Sequence, residues 1–481
     1  MAEVVWYNPR IMKNTIHSVA AMAVLAAAVV AAHVAQARTF TVGAWRGETV
    51  AAQIPDFVEL GEAPAGISLK FGVMKSVKYA PLPNSVQRLE CFDRVVWGQT
   101  SGGPRVVEVS VPADAKPGTY NCGALSVKVV DRVLPPPKDW EYFLDLWQHP
   151  WAVARMAGVK PFSKEHYAAM RPVYELLATA GQKALTVTIL DEPWDHQCRD
   201  AYHSMVDDAD FRTFDEYVEF GRSCGIGPVI SCYSLCPWAL KVSPGTKEFE
   251  EHWAPFLKRF VAHLEKKGWL KDTVMAMDER SPEQVKAVVE FVKKHAPGLR
   301  ISMAGNRKPS DFDGIDIDIY SQVLSHVTPD FLAEIPSRRA RGFVTTHYVC
   351  CGPIYPNTFM SSGAGEAFWL GVSPAMLGLD GFLRWAWNSW PENPVEDASY
   401  WNWRAGDTFL VYPGGEPSWR FLELRNGIAA AEKVRIMRRD GILVGQLDAL
   451  AKRFVVKEAV VGKSDYAGIR RATLELVNRD K

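Results

Sequence analysis

Two periodicities divide the chain. From Arg38 to about Val133 apolar and polar positions alternate in short runs, as in Thr39-Phe40-Thr41-Val42 and Arg105-Val106-Val107-Glu108-Val109-Ser110-Val111, with Gly and Pro between them. A period of two buries one face of a strand, so this stretch predicts a β-sandwich over 38–137, closed by the stiff Pro135-Pro136-Pro137. Beyond the prolines the pattern becomes strand, helix, strand, helix. Eight apolar runs stand out: Tyr142 to Trp147, Ala184 to Leu190, Pro228 to Tyr233, Thr273 to Met277, Arg300 to Ala304, Ile315 to Tyr320, Gly342 to Val349 and Gly381 to Trp387. Lys164 to Ala180, Phe249 to Lys267 and Pro282 to His295 carry apolar residues at three- and four-residue spacing, and Ser281-Pro282 supplies an N-cap and a first-turn proline. Eight strands alternating with helices predict an α/β fold, a (β/α)8 TIM-type barrel over 138–440. An open doubly wound sheet would carry a Gly-rich phosphate turn after its first strand, and this chain has none. A helix over Pro417 to Arg438 follows the eighth strand, and 441–481 is expected to be a helical extension.

Barrel chemistry gathers at the C-terminal strand ends. Those ends read Trp147-Gln148-His149, Asp191-Glu192-Pro193-Trp194, Tyr233-Ser234, Asp278-Glu279-Arg280, Gly305-Asn306, Tyr320-Ser321-Gln322, His347-Tyr348 and Trp387-Asn388-Ser389-Trp390. Carboxylates, amides, hydroxyls and indoles on one rim suit a carbohydrate, with polar groups for hydroxyls and flat rings for the sugar face. Two Asp-Glu pairs compete for the chemistry. Asp278 and Glu279 directly terminate Val274-Met275-Ala276-Met277, whereas Asp191-Glu192 precedes a proline and could equally open a loop. Consecutive strand residues face opposite ways, so Asp278 and Glu279 can share a pocket only if the chain turns between them. Spacing alone leaves capping of the next helix, or pairing with Arg280, equally open.

Composition narrows the field. Lys plus Arg and Asp plus Glu both total 55, so the formal net charge is zero, which gives no electrostatic case for nucleic acid or an anionic membrane surface. Seventeen tryptophans exceed what a core needs and favour an aromatic ligand cleft. At the N-terminus Lys13, the apolar run Val19 to Ala32 and Ala35-Gln36-Ala37 read as a signal peptide over 1–37, with Met12 as an alternative start. The run is too short for a comfortable membrane span, so the mature chain is expected in a periplasm or the medium, without stable membrane insertion. Export permits disulfides, with Cys91–Cys122 and the adjacent Cys350–Cys351 as candidates among eight cysteines, although free thiols are preferred. With no C-x-x-C pair, no metal is expected.

Four segments resemble glycoside hydrolase family 123: Leu144-Asp145-Leu146-Trp147-Gln148-His149-Pro150, Met275 to Arg280, Gly381 to Trp390, and Gly406-Asp407-Thr408-Phe409-Leu410-Val411-Tyr412-Pro413-Gly414 with Arg420 to Gly427 after it. The resemblance spans about 138–440 in order. The loops around Asp207 to Asp210 and Val242 to Gly245 are short for the family, and Asp191-Glu192 departs from its pattern. The resemblance implies an exo-acting β-N-acetylgalactosaminidase that works by substrate assistance, without metal or cofactor. The 2-acetamido oxygen attacks the anomeric carbon, Asp278 steers the acetamido N–H, and Glu279 is acid and then base. By analogy with other substrate-assisted hexosaminidases, Tyr348 or Tyr320 would bind the acetamido oxygen. Trp147, Trp387 and Trp390 are candidates for the sugar platform and acetamido pocket, and His149, Asn306 and Asn388 for hydroxyl contacts. Tyr233, at the end of strand three, completes the candidate set. The expected partner is a glycan or glycoconjugate. A barrel that binds sugar without turnover, and a retaining enzyme with its own nucleophile on Asp191 or Glu192, are the competing readings.

Overall fold

The structure, a computed structural model, describes residues 39–480. The expected leader over 1–37 therefore lies outside the described residues.

The N-terminal alternation folds as two sheets. Strands β1 (Phe40–Arg46), β7 (Leu125–Val133) and β6 (Gly118–Cys122) form one, in that order; β2 (Thr49–Ile54), β5 (Arg105–Ser110), β3 (Ser68–Tyr79) and β4 (Leu89–Trp97) form the other. β1 runs parallel to β7, and the remaining pairs are antiparallel. Every second residue points inward, so Val42 and Ala44, Val107 and Val109, and Val127 and Val129 meet in one core between the sheets. Cys91 and Cys122 lie in different sheets, and all eight cysteines are free thiols.

The eight apolar runs become eight parallel strands of one nearly closed sheet: β8 (Phe143–Leu146), β9 (Ala184–Thr188), β10 (Val229–Tyr233), β11 (Thr273–Asp278), β12 (Arg300–Gly305), β13 (Ile319–Val323), β14 (Val344–Tyr348) and β15 (Gly381–Arg384). The expected sixth strand, Ile315 to Tyr320, starts too early. Ile315 and Ile317 alternate like a strand, but the Asp318 carboxylate takes the Ile301 N–H at 2.9 Å and the ladder begins at Ile319. β15 can lie against β8 because Gly381 has no side chain; a Cβ there would sit 1.8 Å from the Phe143 carbonyl oxygen.

The last seam, between β8 and β9, has only a single bridge, Leu144 to Gln182, in place of a ladder. Side-chain amides complete it. Gln182 Oε1 accepts from Leu146 N at 3.0 Å, and its Nε2 donates to the Leu146 and Ala184 carbonyls at 3.2 and 2.6 Å. Gln148 Oε1 accepts from Thr186 N at 2.9 Å, while Thr186 Oγ1 accepts from Gln148 N at 3.1 Å.

Helices α1 (Pro150–Ala157), α2 (Lys164–Ala178), α3 (Arg212–Ser223), α4 (Lys247–Lys267), α5 (Pro282–His295), α6 (Pro329–Ala340), α7 (Ala364–Leu377) and α8 (Trp419–Arg439) are laid out along the chain with the barrel strands. α5 begins where the sequence places it, with Ser281 and Gln284 in a reciprocal capping box. α8 also grips the sandwich. Its Arg420 forms a two-pronged pair with Asp93 at 3.0 Å, both buried, and Asn426 takes up both backbone groups of Ala51. Lys433 pairs with Glu48 and Arg425 with Glu108, each at 2.5 Å. The C-terminal segment folds as α9 (Val444–Ala451), α10 (Val456–Ala459) and α11 (Tyr466–Val477). Trp45 of β1 donates its indole N–H to the Val477 carbonyl at 2.8 Å, so the extension bridges the sandwich and the barrel's helices. Among the described residues no helix is long and apolar enough to cross a membrane.

Candidate active site

Register decides which barrel side chains can meet. Residues paired across parallel strands share a face, and an apolar floor of Phe143, Ala184, Val229, Val274, Ile319 and Val344 marks the interior. Two residues further along, the interior turns polar on five of these six strands, with Asp145, Thr186, Ser231, Ser321 and Thr346, while β11 presents Ala276. Two further still come Trp147, Tyr233, Asp278 and Tyr348 at the mouth.

Asp278 ends β11 facing inward, and the chain then turns sharply. Glu279 has φ of 43°, in the left-handed region that a residue with a side chain seldom occupies, and its N–H is held by the Ala304 carbonyl at 2.8 Å. The turn swings both carboxylates toward the mouth, where the Tyr348 hydroxyl donates to Glu279 Oε1. Burial first, then the Glu279 charge, raises the Asp278 carboxyl from 3.8 to about 6, and the Trp238 indole N–H, donating to Oδ2 at 3.1 Å, opposes the rise. Arg280 does not pair with either acid at hydrogen-bond distance. Its Nε donates to the Cys236 carbonyl at 2.8 Å, and its guanidinium lies 4.3 Å above the Trp238 ring.

One wall of the mouth is aromatic. Trp147, Trp194 and Tyr233 pack mutually with centroids 4.7–5.2 Å apart. Beneath them Asp145 is buried without a cation, and burial raises its carboxyl to about 7. The nearby Trp147 indole N–H opposes that rise, yet Asp145 Oδ1, Trp147 Nε1 and the Tyr233 hydroxyl make no well-formed hydrogen bond.

The other candidates lie elsewhere. Tyr320 faces outward; its hydroxyl donates to the Arg307 carbonyl and Arg338 of α6 covers its ring. His149 is wholly buried, stacked on Tyr202 at 3.8 Å, and burial lowers its pKa to about 4. Asn388 spends its amide on both backbone groups of His149, at 2.9 Å each, so it clamps the ends of β8 and β15. Trp387 packs on Phe421 of α8, and Trp390 donates to the Val411 carbonyl at 2.6 Å; both are wholly buried, as are Trp147 and Tyr233. Asn306 is exposed on the rim, its carbonyl accepting from His326. The competing pair turns away: Asp191 is exposed and caps Ser204 N at 3.0 Å, and Glu192 accepts from His196 N within its own loop.

Two mouth residues escaped the sequence reading. Trp238 lies five residues past β10, outside the strand-end window. Trp385 continues the inward parity of Gly381 and Leu383, a signal that was available, and its indole N–H donates to Asp407 Oδ1 at 3.1 Å. Asp407 is itself paired with Arg384 at 2.8 Å in a fully buried ion pair. Among the described residues no cluster of three or more His, Cys, Asp or Glu could hold a metal ion.

A parallel barrel with paired carboxylates, a tyrosine hydroxyl and indoles converging on its C-terminal rim has the layout of a glycosidase. The catalytic-domain model of glycoside hydrolase 123 matches residues 147–437, and the chain belongs to that family. Among solved structures, a family 123 glycoside hydrolase from Clostridium perfringens, studied for glycolipid glycan hydrolysis, is 23% identical. That likeness covers 92% of each chain with a TM-score of 0.76. A family 39 glycoside hydrolase from Bacteroides cellulosilyticus is much more distant, 12% identical over 82% of this chain and 81% of that one, with a TM-score of 0.39. No curated protein sequence matches the chain.

Proposed function

We propose that this protein is an exported retaining glycosidase that releases terminal β-linked N-acetylhexosamine, N-acetylgalactosamine foremost, through an oxazolinium intermediate. Support comes from the turn at Glu279, which brings two adjacent carboxylates into one mouth while Tyr348 holds the outer one. Glu279 gives its proton to the leaving oxygen. As that C–O bond breaks, the substrate's acetamido oxygen bonds to the anomeric carbon, and Asp278 accepts the acetamido N–H. Water then opens the oxazolinium ring, with Glu279 taking its proton. A nucleophile on Asp191 or Glu192 finds no support, since both carboxylates serve their own loop.

Release of p-nitrophenol from the β-N-acetylgalactosaminide, inhibition by the matching thiazoline, and loss on Glu279→Gln are the expected results. Undiminished turnover by that variant overturns the acid/base assignment, and a trapped covalent glycosyl-enzyme overturns substrate assistance. Comparing the galacto and gluco substrates fixes the preferred sugar. For export, the mature chain is expected to begin at Arg38, as N-terminal sequencing of the secreted protein will read.

A further inference from the structure

A cleft of 310 Å³ lies at the outer edge of the same rim, between residues 80–88 of the sandwich and the loops that follow β9 and β15. Trp401 sits in it with 40% of its surface exposed, Tyr400 against it at 4.1 Å between ring centroids, and Asn84 and Arg199 on the opposing walls. The exposed part of that indole adds nothing to the core, and a flat aromatic face is the surface a sugar ring stacks on.

The walls are fixed in place. Lys78 N donates to Glu396 O at 2.9 Å, Ala398 N returns a bond to Lys78 O at 2.8 Å, and Ala80 N donates to Ser399 Oγ at 2.7 Å. The end of β3 is thereby stitched to the loop that carries Trp401. Two further rings lie on the side of the cleft toward the mouth. Trp385, the first residue past β15, lies 5.1 Å from Trp403, which is two residues from Trp401 in the chain and is anchored through its indole N–H to the Gln197 carbonyl at 2.8 Å.

We propose that this cleft is a subsite for the reducing-end portion of an oligosaccharide substrate. The terminal sugar occupies the mouth at Asp278 and Glu279, and the following sugars run over Trp403 to Trp401 and Asn84. This assignment rests on the mouth being the hydrolytic site. It gives the sandwich domain a share in recognition and makes the enzyme selective for extended glycans over short aglycones.

The test compares p-nitrophenyl β-N-acetylgalactosaminide with a tetrasaccharide bearing the same terminal sugar. Trp401→Ala is expected to lower kcat/KM on the tetrasaccharide about tenfold, through KM, and to leave the aryl glycoside within about twofold. Asn84→Gly, which suits the φ of 58° at that position, is expected to act in the same direction. Equal effects on both substrates, or none on either, overturn the subsite. Titration of Glu279→Gln protein with the tetrasaccharide separates this result from the function itself. Weaker binding on adding Trp401→Ala supports the cleft even if the wild type cleaves neither substrate, an outcome that counts only against the proposed reaction; unchanged binding overturns the cleft.

Discussion

Asp278→Asn should abolish turnover and stabilise the fold. Asp278 is part-buried at the mouth, beside Glu279, and its carboxyl is raised from 3.8 to about 6. The folded chain therefore binds that proton more tightly than the unfolded chain, so the stability tied to this group is fully present below about pH 4. It is lost as pH rises to about 6 and stays lost above that. A difference of about 2.2 at 1.36 kcal/mol each gives roughly 3 kcal/mol, and screening by solvent at the mouth leaves about 1–2 kcal/mol. Asparagine keeps an oxygen for the Trp238 indole and removes the charge that faces Glu279. Urea unfolding of both proteins from pH 4 to pH 8 is the assay. Groups common to both cancel in the difference, so the variant's advantage should open between pH 4 and 6 and then level off. A wild type that is equally or more stable at pH 7.5, or a difference that ignores pH, refutes the idea that Asp278 is held as a carboxylate against a stability cost.

Other outcomes follow from the same contacts. The acid limb of kcat/KM should fall about tenfold per pH unit below about 6, because protonation removes the Asp278 carboxylate. Trp238→Phe deletes a hydrogen bond that lowers the Asp278 pKa, so a rate profile should show that limb moving to higher pH; a shift to lower pH contradicts the contact. Tyr348→Phe frees Glu279 Oε1 and should reduce kcat by about 10–100-fold with the fold intact, as kinetics and circular dichroism will show. Arg420→Met leaves Asp93 buried beside Tyr412 without its cation and should cost about 3–5 kcal/mol in urea unfolding.

The barrel was legible because burial on both faces turns each parallel strand into a short apolar run, and eight such runs stand along the chain. The mouth was legible only in part, because listing strand ends ignores parity. Tyr348 and Tyr320 look alike as hydroxyls near strand ends, yet one points into the barrel and the other into the helix layer. In the eighth strand parity alone does not decide: Trp387 shares the parity of Trp385, but it lies further past the strand's end at Arg384 and packs on Phe421, while Trp390 is tied to the Val411 carbonyl and Trp385 to Asp407. The turn at Glu279 carries no glycine to announce it, so a positive φ there could be required by shared use of a pocket but not read from residue type. Trp238 reaches Asp278 from a loop, and loop paths follow tertiary packing, here the bond from Trp238 N to the Pro193 carbonyl, more than local pattern.

The seam between β8 and β9 sets this barrel apart as an inherited object. Seven junctions are held by main-chain ladders, which any residue able to sit in a strand will reproduce. The eighth has one main-chain bridge and is otherwise held by Gln148 and Gln182, so a single codon change there weakens ring closure. Trp147 and Trp194 straddle that junction, on the loops of β8 and β9. Drift at either glutamine would first loosen the packing of Trp147 on Trp194, while the seven ladders keep the chain folded. Substrate preference in such a lineage could wander well before the architecture failed.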